Sequence, residues 1–246
     1  MDYTKTVVIT GASRGIGKAT VEVFARQGYN VLINFNKSEK DAIALYESLK
    51  EKEFSVKLFK TDISKRTEVN AMIKFCVNEF GTIDVLVNNA GICQEKLFID
   101  ITDEDWDRMI NINLKSVFFC TQEVLKYMIP QKKGKIINIS SIWGMVGASC
   151  EVHYSTAKAG VIGLTKALAK ELGPSNIQVN CIAPGIIQTD MLSSYNQEQL
   201  NMLRENTPLM RLGSPIDIAM CTFFLASQHA DFITGQIISP NGGFVI

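Results

Sequence analysis

The sequence predicts a single α/β domain in which a parallel sheet is covered by helices on both faces. Short apolar runs rich in β-branched residues, such as Thr6-Val7-Val8-Ile9-Thr10 and Asn30-Val31-Leu32-Ile33-Asn34-Phe35, show no polar alternation, as strands buried on both faces do. These runs alternate with helical patterns of roughly 12 to 20 residues, the order expected of consecutive βα units. The first run also passes directly into a glycine loop and a helix, Gly11-Ala12-Ser13-Arg14-Gly15-Ile16-Gly17. A chain of 246 residues is long enough to bury a substantial core without disulfides or metals, and no linker, repeat or low-complexity run divides it.

Composition narrows the function. Lys+Arg and Asp+Glu are both 25, so no global field draws the protein to nucleic acid or to an anionic membrane, and a small or locally recognised substrate is expected. The opening Met1-Asp2-Tyr3-Thr4-Lys5 enters a strand at once, leaving no room for a signal peptide. No apolar run approaches the roughly 18 residues of a spanning helix, so a cytoplasmic protein without membrane contact is expected. The cysteines Cys76, Cys93, Cys120, Cys150, Cys181 and Cys221 stand singly, without metal-ligand spacing. They read as buried reduced thiols, with only Cys150, near Tyr154, as a pocket wall. His153 and His229 have no partner at a useful spacing and read as structural.

In the glycine loop, close backbone approach and the free N–H groups of a helix start suit a pyrophosphate. The helix that follows ends near Gly28. After the second strand, Asn30 to Phe35, dinucleotide-binding proteins that prefer NAD carry an acidic residue for the ribose 2′-hydroxyl. Here the sequence reads Asn36-Lys37-Ser38, so with Arg14 it offers positive charge and donors suited to a 2′-phosphate. NADPH/NADP+ is therefore expected over NADH. Asp41 to Lys52 reads as a helix, Ser55 to Lys60 as the third strand, closed by Asp62-Ile63 where an adenine edge would lie, and Thr67 to Phe80 as a helix. The fourth strand, Ile83 to Val87, runs into Asn88-Asn89-Ala90-Gly91. Ligands of such sheets lie outside the carboxyl ends of the strands, where Gly11 to Gly17, Asn88 to Gly91 and Ser141 all fall.

Thr102-Asp103-Glu104-Asp105 is a capping-box helix start, and one helix is predicted from there to about Ile129. Trp106, Met109, Ile110, Leu114, Val117, Phe118, Phe119, Val124, Leu125 and Met128 cover more than one stripe of it, which predicts packing on the sheet and on a partner subunit. Asn113, mid-helix, is a poor helix former there. Lys135 to Ser140 is the fifth strand and Ile177 to Ile182 the sixth, ended by Ala183-Pro184-Gly185. Residues Ile186 to Pro215 are polar and weakly periodic and read as a mobile segment over the pocket, before a helix from Asp217 to Ala226 and a last strand from Gln236 to Ser239.

The stretch Ser141 to Lys158 concentrates the chemistry. If the residues after Cys150 are helical, Tyr154 and Lys158 share a face one turn apart. An ammonium beside a phenol stabilises phenolate and lowers the phenol pKa from its ordinary value of about 10, which suits a proton donor at neutral pH. Ser141, closing the fifth strand, reaches the same cavity.

Taken together, Thr10-Gly11-x-x-x-Gly15-x-Gly17, Asn88-Asn89-Ala90-Gly91, Ser141, Tyr154-x-x-x-Lys158 and Pro184-Gly185 resemble the short-chain dehydrogenase/reductase family over essentially the whole chain. The resemblance implies a doubly wound, seven-stranded Rossmann fold and a catalytic tetrad of Asn113, Ser141, Tyr154 and Lys158. It assigns proton donation to Tyr154, a substrate hydrogen bond to Ser141, ribose binding and pKa depression to Lys158, and a proton-relay water to Asn113. It also implies cofactor contacts at Gly11, Ser13, Arg14, Gly15, Ile16, Gly17, Asn36, Lys37, Ser38, Asp62, Ile63, Asn89, Ala90, Gly91, Tyr154, Lys158, Pro184, Gly185, Ile187 and Thr189, with Ile187 and Thr189 at the nicotinamide carboxamide. A homotetramer is the expected assembly.

Within the family the chain looks most like 3-oxoacyl-acyl-carrier-protein reductases, through Gly11 to Gly17, Pro184-Gly185-Ile186-Ile187-Gln188-Thr189-Asp190-Met191 and Asn241-Gly242-Gly243. Where those reductases commonly dock the carrier with arginines before the fifth and sixth strands, this chain has Lys132-Lys133 and Ser175-Asn176. Trp143, Cys150 and Glu151, in Ser141-Ile142-Trp143-Gly144 and Gly147 to Val152, resemble instead reductases of a 5-aminopentanone group on a lysine of elongation factor P, for which Glu151 would pair with the substrate amine. Both readings make the substrate a ketone. A third, a cofactor-binding regulator without turnover, requires a broken tetrad, and all four positions are filled.

Overall fold

The computed structural model describes residues 4–193 and 195–246. Its strands are β1 (Thr6–Ile9), β2 (Asn30–Phe35), β3 (Val56–Lys60), β4 (Val85–Asn88), β5 (Gly134–Ile139), β6 (Ile177–Ile182) and β7 (Ile237–Ile238). The helices are α1 (Gly15–Arg26), α2 (Glu39–Lys50), α3 (Arg66–Phe80), α4 (Asp103–Ile110), α5 (Ser116–Gln131), α6 (Trp143–Val146), α7 (Val152–Leu172), α8 (Gln197–Glu205) and α9 (Pro215–Ala226). The strands lie in the order β3-β2-β1-β4-β5-β6-β7 and every pairing is parallel, as the sequence predicts. β1 pairs with both β2 and β4, so the winding direction reverses there and opens a crevice at the carboxyl ends.

Alternate residues of each strand feed two separate cores. Val7, Ile9, Val31, Ile33, Val85 and Val87 pack with Val21 and Phe24 of α1 and Ile218 and Leu225 of α9. Val8, Leu32, Leu86 and Ile136 pack with Met72 and Ile73 of α3 and Val124 and Met128 of α5. Both faces of the strands are thereby covered, which is why the runs carry no polar alternation.

The helix expected from Thr102 to Ile129 is interrupted. Its start carries the capping box, Thr102 Oγ1 accepting from the Asp105 N–H and the Asp105 carboxylate from the Thr102 N–H. Between α4 and α5, however, Asn111–Lys115 winds as a π-helix, with Asn113 at its centre. A π turn marks a local insertion in the helical register, common at functional sites. The polar, weakly periodic segment between Ile186 and Pro215 holds α8, opened by a capping box of Asn196 and Gln199. Nine residues of mostly polar, exposed helix give little periodicity to detect.

Candidate active site

The glycine loop is shaped by contacts as much as by sequence. A Cβ on Gly17 would lie 2.3 Å from the Gly11 carbonyl oxygen and 2.7 Å from Asn89 Nδ2, so only glycine fits. Asn89 donates from that nitrogen to the carbonyls of Thr10 (2.9 Å) and Gly11 (3.0 Å), while Thr10 Oγ1 accepts from the N–H groups of Asn89 and Ala90. On the other side Asn34 Oδ1 accepts from the Gly11 N–H at 3.1 Å. Asn89, expected along the cofactor, is thus a brace of the loop. Asn34 was legible only as a polar residue inside a buried strand, which is itself the signal of a required hydrogen bond.

The start of α1 suits an anion. Its first turn holds no acidic residue, and Arg14, at the N-cap, makes no side-chain cap. Ser13 is buried and Ile16 packs partly on the first core. The Arg14 guanidinium is 3.2 Å from the Asp190 carboxylate, both well exposed, and Thr189 Cγ2 lies close to Gly15, so the stretch after β6 returns over the loop. At the end of β2, Asn36 and Lys37 are exposed and Ser38 occupies the N-cap position of α2. Asp62 accepts from the Ser64 N–H and hydroxyl, and Ile63 is buried. Pro184 is buried, with its carbonyl accepting from the Ile142 N–H, and Ile187 is buried and bridged to Gly213. These residues line one rim at the carboxyl ends of β1, β2, β3 and β6.

The four tetrad positions converge beside that rim. Tyr154 and Lys158 lie in the first two turns of α7, with the ammonium 5.7 Å from the Tyr154 ring centroid. Ser141, just past β5, is buried close enough to Tyr154 to oppose the rise of its pKa, and its Oγ accepts from the Trp143 N–H at 3.1 Å. Lys158 Nζ donates to the Ile139 carbonyl at 2.9 Å, and Ser140 Oγ to the Lys158 carbonyl at 2.8 Å, fixing the helix to the strand end. A Cβ on Gly91 would lie 2.6 Å from Asn113 Oδ1 and 3.4 Å from Lys158 Nζ, so both side chains crowd that glycine.

Burial shapes two of these residues. Asn113 is buried, its Oδ1 accepts from the Ile92 N–H and its Nδ2 donates to the carbonyls of Ile92 and Met109. Its side chain therefore joins the π segment to the loop after β4. Secondly, Lys158 does not dominate the titration of Tyr154. Burial raises the phenol well above its ordinary range, with Glu151 and Cys93 adding to it against the Ser141 hydrogen bond. Burial lowers Lys158 to about 8. Burial thus favours the neutral form of both groups.

The outer wall combines segments far apart in sequence. Trp143 packs with Met109, Tyr154 and Ala157, and meets Phe244 edge-on at 5.9 Å. Cys150 is half-buried, takes a left-handed φ of 62° and offers its carbonyl to the Lys96 N–H at 2.7 Å. Glu151 sits at the N-cap of α7, one residue before the helix begins. Its Oε2 is buried without a hydrogen-bond partner among the described residues, and burial, with Glu95 adding, raises the carboxyl to about 7. Glu95 in turn accepts from the Tyr195 hydroxyl at 2.8 Å. Cys93, expected to be buried, is exposed and within electrostatic reach of Glu151 and Lys158. Cys93, Glu95 and Tyr195 escaped sequence reading because nothing in their spacing links them. Lys132-Lys133 and Ser175-Asn176 lie at the amino ends of β5 and β6, the opposite end of the sheet, where Asn176 Nδ2 donates to the Lys132 carbonyl and Lys133 pairs with Asp84.

A parallel doubly wound sheet with an anion-ready glycine loop, and a Ser-Tyr-Lys cluster at the same rim, define a dinucleotide-dependent oxidoreductase of the carbonyl–alcohol type. The chain belongs to the short-chain dehydrogenase family, whose model matches residues 5–200. It is 44% identical over 243 residues, 99% of each chain, to a 3-oxoacyl-[acyl-carrier-protein] reductase of Staphylococcus aureus strain N315. A reductase of the same description from Chlamydia trachomatis is 43% identical over 97% of this chain and 96% of its own. One from Thermotoga maritima is 40% identical over 98% of both. Among the described residues, no helix is long and apolar enough to cross a membrane.

Proposed function

We propose that the protein is an NADPH-dependent ketoreductase that reduces a 3-oxoacyl group carried on acyl carrier protein, as the relatives' descriptions have it for them. The observation that carries the chemistry is the convergence of buried Ser141, Tyr154 and Lys158 at the carboxyl end of β5, with the ammonium 5.7 Å from the Tyr154 ring centroid. NADPH, when bound, supplies the hydride. Ser141 orients the carbonyl oxygen, and Tyr154 gives its phenolic proton to that oxygen as negative charge develops, so the ketone leaves as an alcohol. Burial keeps the phenol protonated until that moment, and the ammonium of Lys158 favours the phenolate that remains. Asn113 orders the loop at Ile92.

The residues present suit the cofactor. The glycine-only cradle and the uncapped start of α1 would hold the pyrophosphate, with Ser13 and Gly15 at its edge. Lys37, with Asn36 and Ser38, would meet the 2′-phosphate, assisted by Arg14. Asp62 and Ile63 would flank adenine, Ala90 and Gly91 the ribose, Lys158 the nicotinamide ribose, and Pro184, Gly185, Ile187 and Thr189 the carboxamide. The 186–215 segment, joined to the loop by Arg14–Asp190, would close over both ligands. A homotetramer in the cytoplasm completes the reading. Its support comes from α9, where Ile216, Met220 and Phe224 form an exposed stripe, and from Phe118 on α5, whereas α7 exposes no large apolar side chain.

Glu151 and Glu95 favour one other substrate, a ketone bearing an amine, such as the 5-aminopentanone of a modified lysine. NADPH oxidation with an acetoacetyl carrier thioester and with an amino-ketone separates the two. Turnover of the thioester at least tenfold above the amino-ketone is the expected result, a difference of about 1.4 kcal/mol or more. The reverse order transfers the protein to the second substrate, and turnover of neither rejects the ketoreductase reading.

A further inference from the structure

His153 immediately precedes the proton donor, is fully buried, and plays no part in the mechanism above. Its Nε2 is 3.2 Å from Gln94 Oε1. Gln94 Nε2 donates to Asp105 Oδ1 at 2.9 Å, and Asp105 Oδ2 is held by Lys96 Nζ at 2.5 Å. That arrangement fixes the polarity of the chain. Turning the Gln94 amide over would set its carbonyl against a carboxylate, so Oε1 faces the imidazole and His153 Nε2 must be the N–H donor. Nδ1 is then the unprotonated nitrogen, buried with no partner among the described residues. A proton there would be a buried, unpaired donor, and burial accordingly lowers the pKa of His153, with Lys96 adding to the fall and Asp105 opposing it.

The connections reach two tetrad residues. The loop 91–96 is held at its start by Asn113, through both backbone groups of Ile92, and at its end by Lys96, whose N–H donates to the Cys150 carbonyl. Asp105 is the third residue of α4, which leads into the π segment bearing Asn113. His153 closes this circuit from the first turn of α7. We infer that His153 is a positioning residue: its bond to Gln94 locks the loop 91–96 to the start of α7 and so sets Tyr154 relative to Asn113 and the ketone. Neither partner touches the reacting atoms. The inference rests on the ketoreductase reading for its kinetic arm only.

The test compares wild type with His153→Leu, Gln94→Met, the double variant and His153→Gln, which can donate from nearly the same point. Each single variant is expected to lower kcat about tenfold with NADPH affinity within about twofold, since small misplacements of catalytic groups cost that much or more. The double variant should be no slower than the slower single, because both break one link. His153→Gln should stay within about threefold of wild type. Hydrogen exchange, which needs no substrate, should quicken at the amides of 92–96 and 152–155 in both singles and nowhere in β1 to β3. Wild-type exchange in Gln94→Met at either segment, or losses in kcat that multiply in the double variant, overturns the inference. If His153→Leu does not fold, Gln94→Met decides alone. A wild type inactive on every ketone removes the substrate reading, and the exchange result still decides the positioning role.

Discussion

The two sides of the crevice are built on different principles. On the cofactor side, a contiguous run from Thr10 to Gly17 makes the cradle out of backbone, and Asn34, Asn89 and Thr10 tie up its polar groups. On the ketone side, Cys93, Gln94 and Glu95 come from one loop, Cys150 and Glu151 from another, His153 and Tyr154 from the start of α7, and Tyr195 from a third loop, a hundred or more positions from the first in sequence. That side leaves Glu151 Oε2 and His153 Nδ1 buried without partners among the described residues. A site for an invariant pyrophosphate can be finished by the fold. A site that chooses among ketones keeps polar groups in reserve.

Four outcomes would break or sharpen this contrast. The largest is expected from Tyr154→Phe, which removes the acid and little volume. Turnover should fall about 10²–10⁴-fold, the usual contribution of a positioned acid, with NADPH affinity nearly intact by fluorescence titration. Retention of more than about a tenth of turnover, a loss under about 1.4 kcal/mol, would remove Tyr154 as the donor.

Next is Gly17→Ala, whose Cβ would press on the Gly11 carbonyl and the Asn89 amide. Overpacking of this kind costs about 1–3 kcal/mol. A melting temperature lowered by several degrees together with weaker NADPH binding is expected. An unchanged NADPH titration would mean that the cradle does not carry the pyrophosphate.

Lys37→Ala should weaken NADPH about tenfold, about 1.4 kcal/mol, and leave NADH unchanged. Arg14→Ala should do less, because Asp190 already shares its guanidinium. Equal losses for the two cofactors would dissociate Lys37 from the 2′-phosphate.

The smallest effect tests the reserve of the ketone side. Burial holds the Glu151 carboxyl at about 7 in the folded chain against an ordinary 4.5. The folded state thus binds this proton more tightly, a contribution to stability that is present below about 4.5 and lost as pH rises through about 7. Glu151→Gln keeps the protonated shape, so it should melt above wild type at pH 8, by about 2–4 °C for each kcal/mol of relieved burial, and match it at pH 4.5. A gain of the same size at both pH values would contradict a desolvated carboxylate.

The sequence by itself determined the parallel sheet, the glycine cradle and the Tyr154–Lys158 pair. Each is written in neighbouring residues with a short period: doubly buried strands exclude polar alternation, a Cβ-free position must be glycine, and an i, i+4 pair shares a helical face. Boundaries moved slightly, the third strand beginning at Val56 and the last shortening to Ile237–Ile238, because backbone pairing sets strand ends and β7 has β6 alone to pair with. Only tertiary structure decided the rest. The π turn that carries Asn113 coincides with the bonds its amide makes to Ile92, a partner 21 residues away in sequence. Whether Lys158 could lower the Tyr154 pKa depended on burial, which no spacing reports, and burial acts on both groups against their charged forms. The cluster of His153, Gln94, Asp105 and Lys96 forms because a loop, a helix start and the catalytic helix meet, and residues brought together only by folding leave no pattern in the chain.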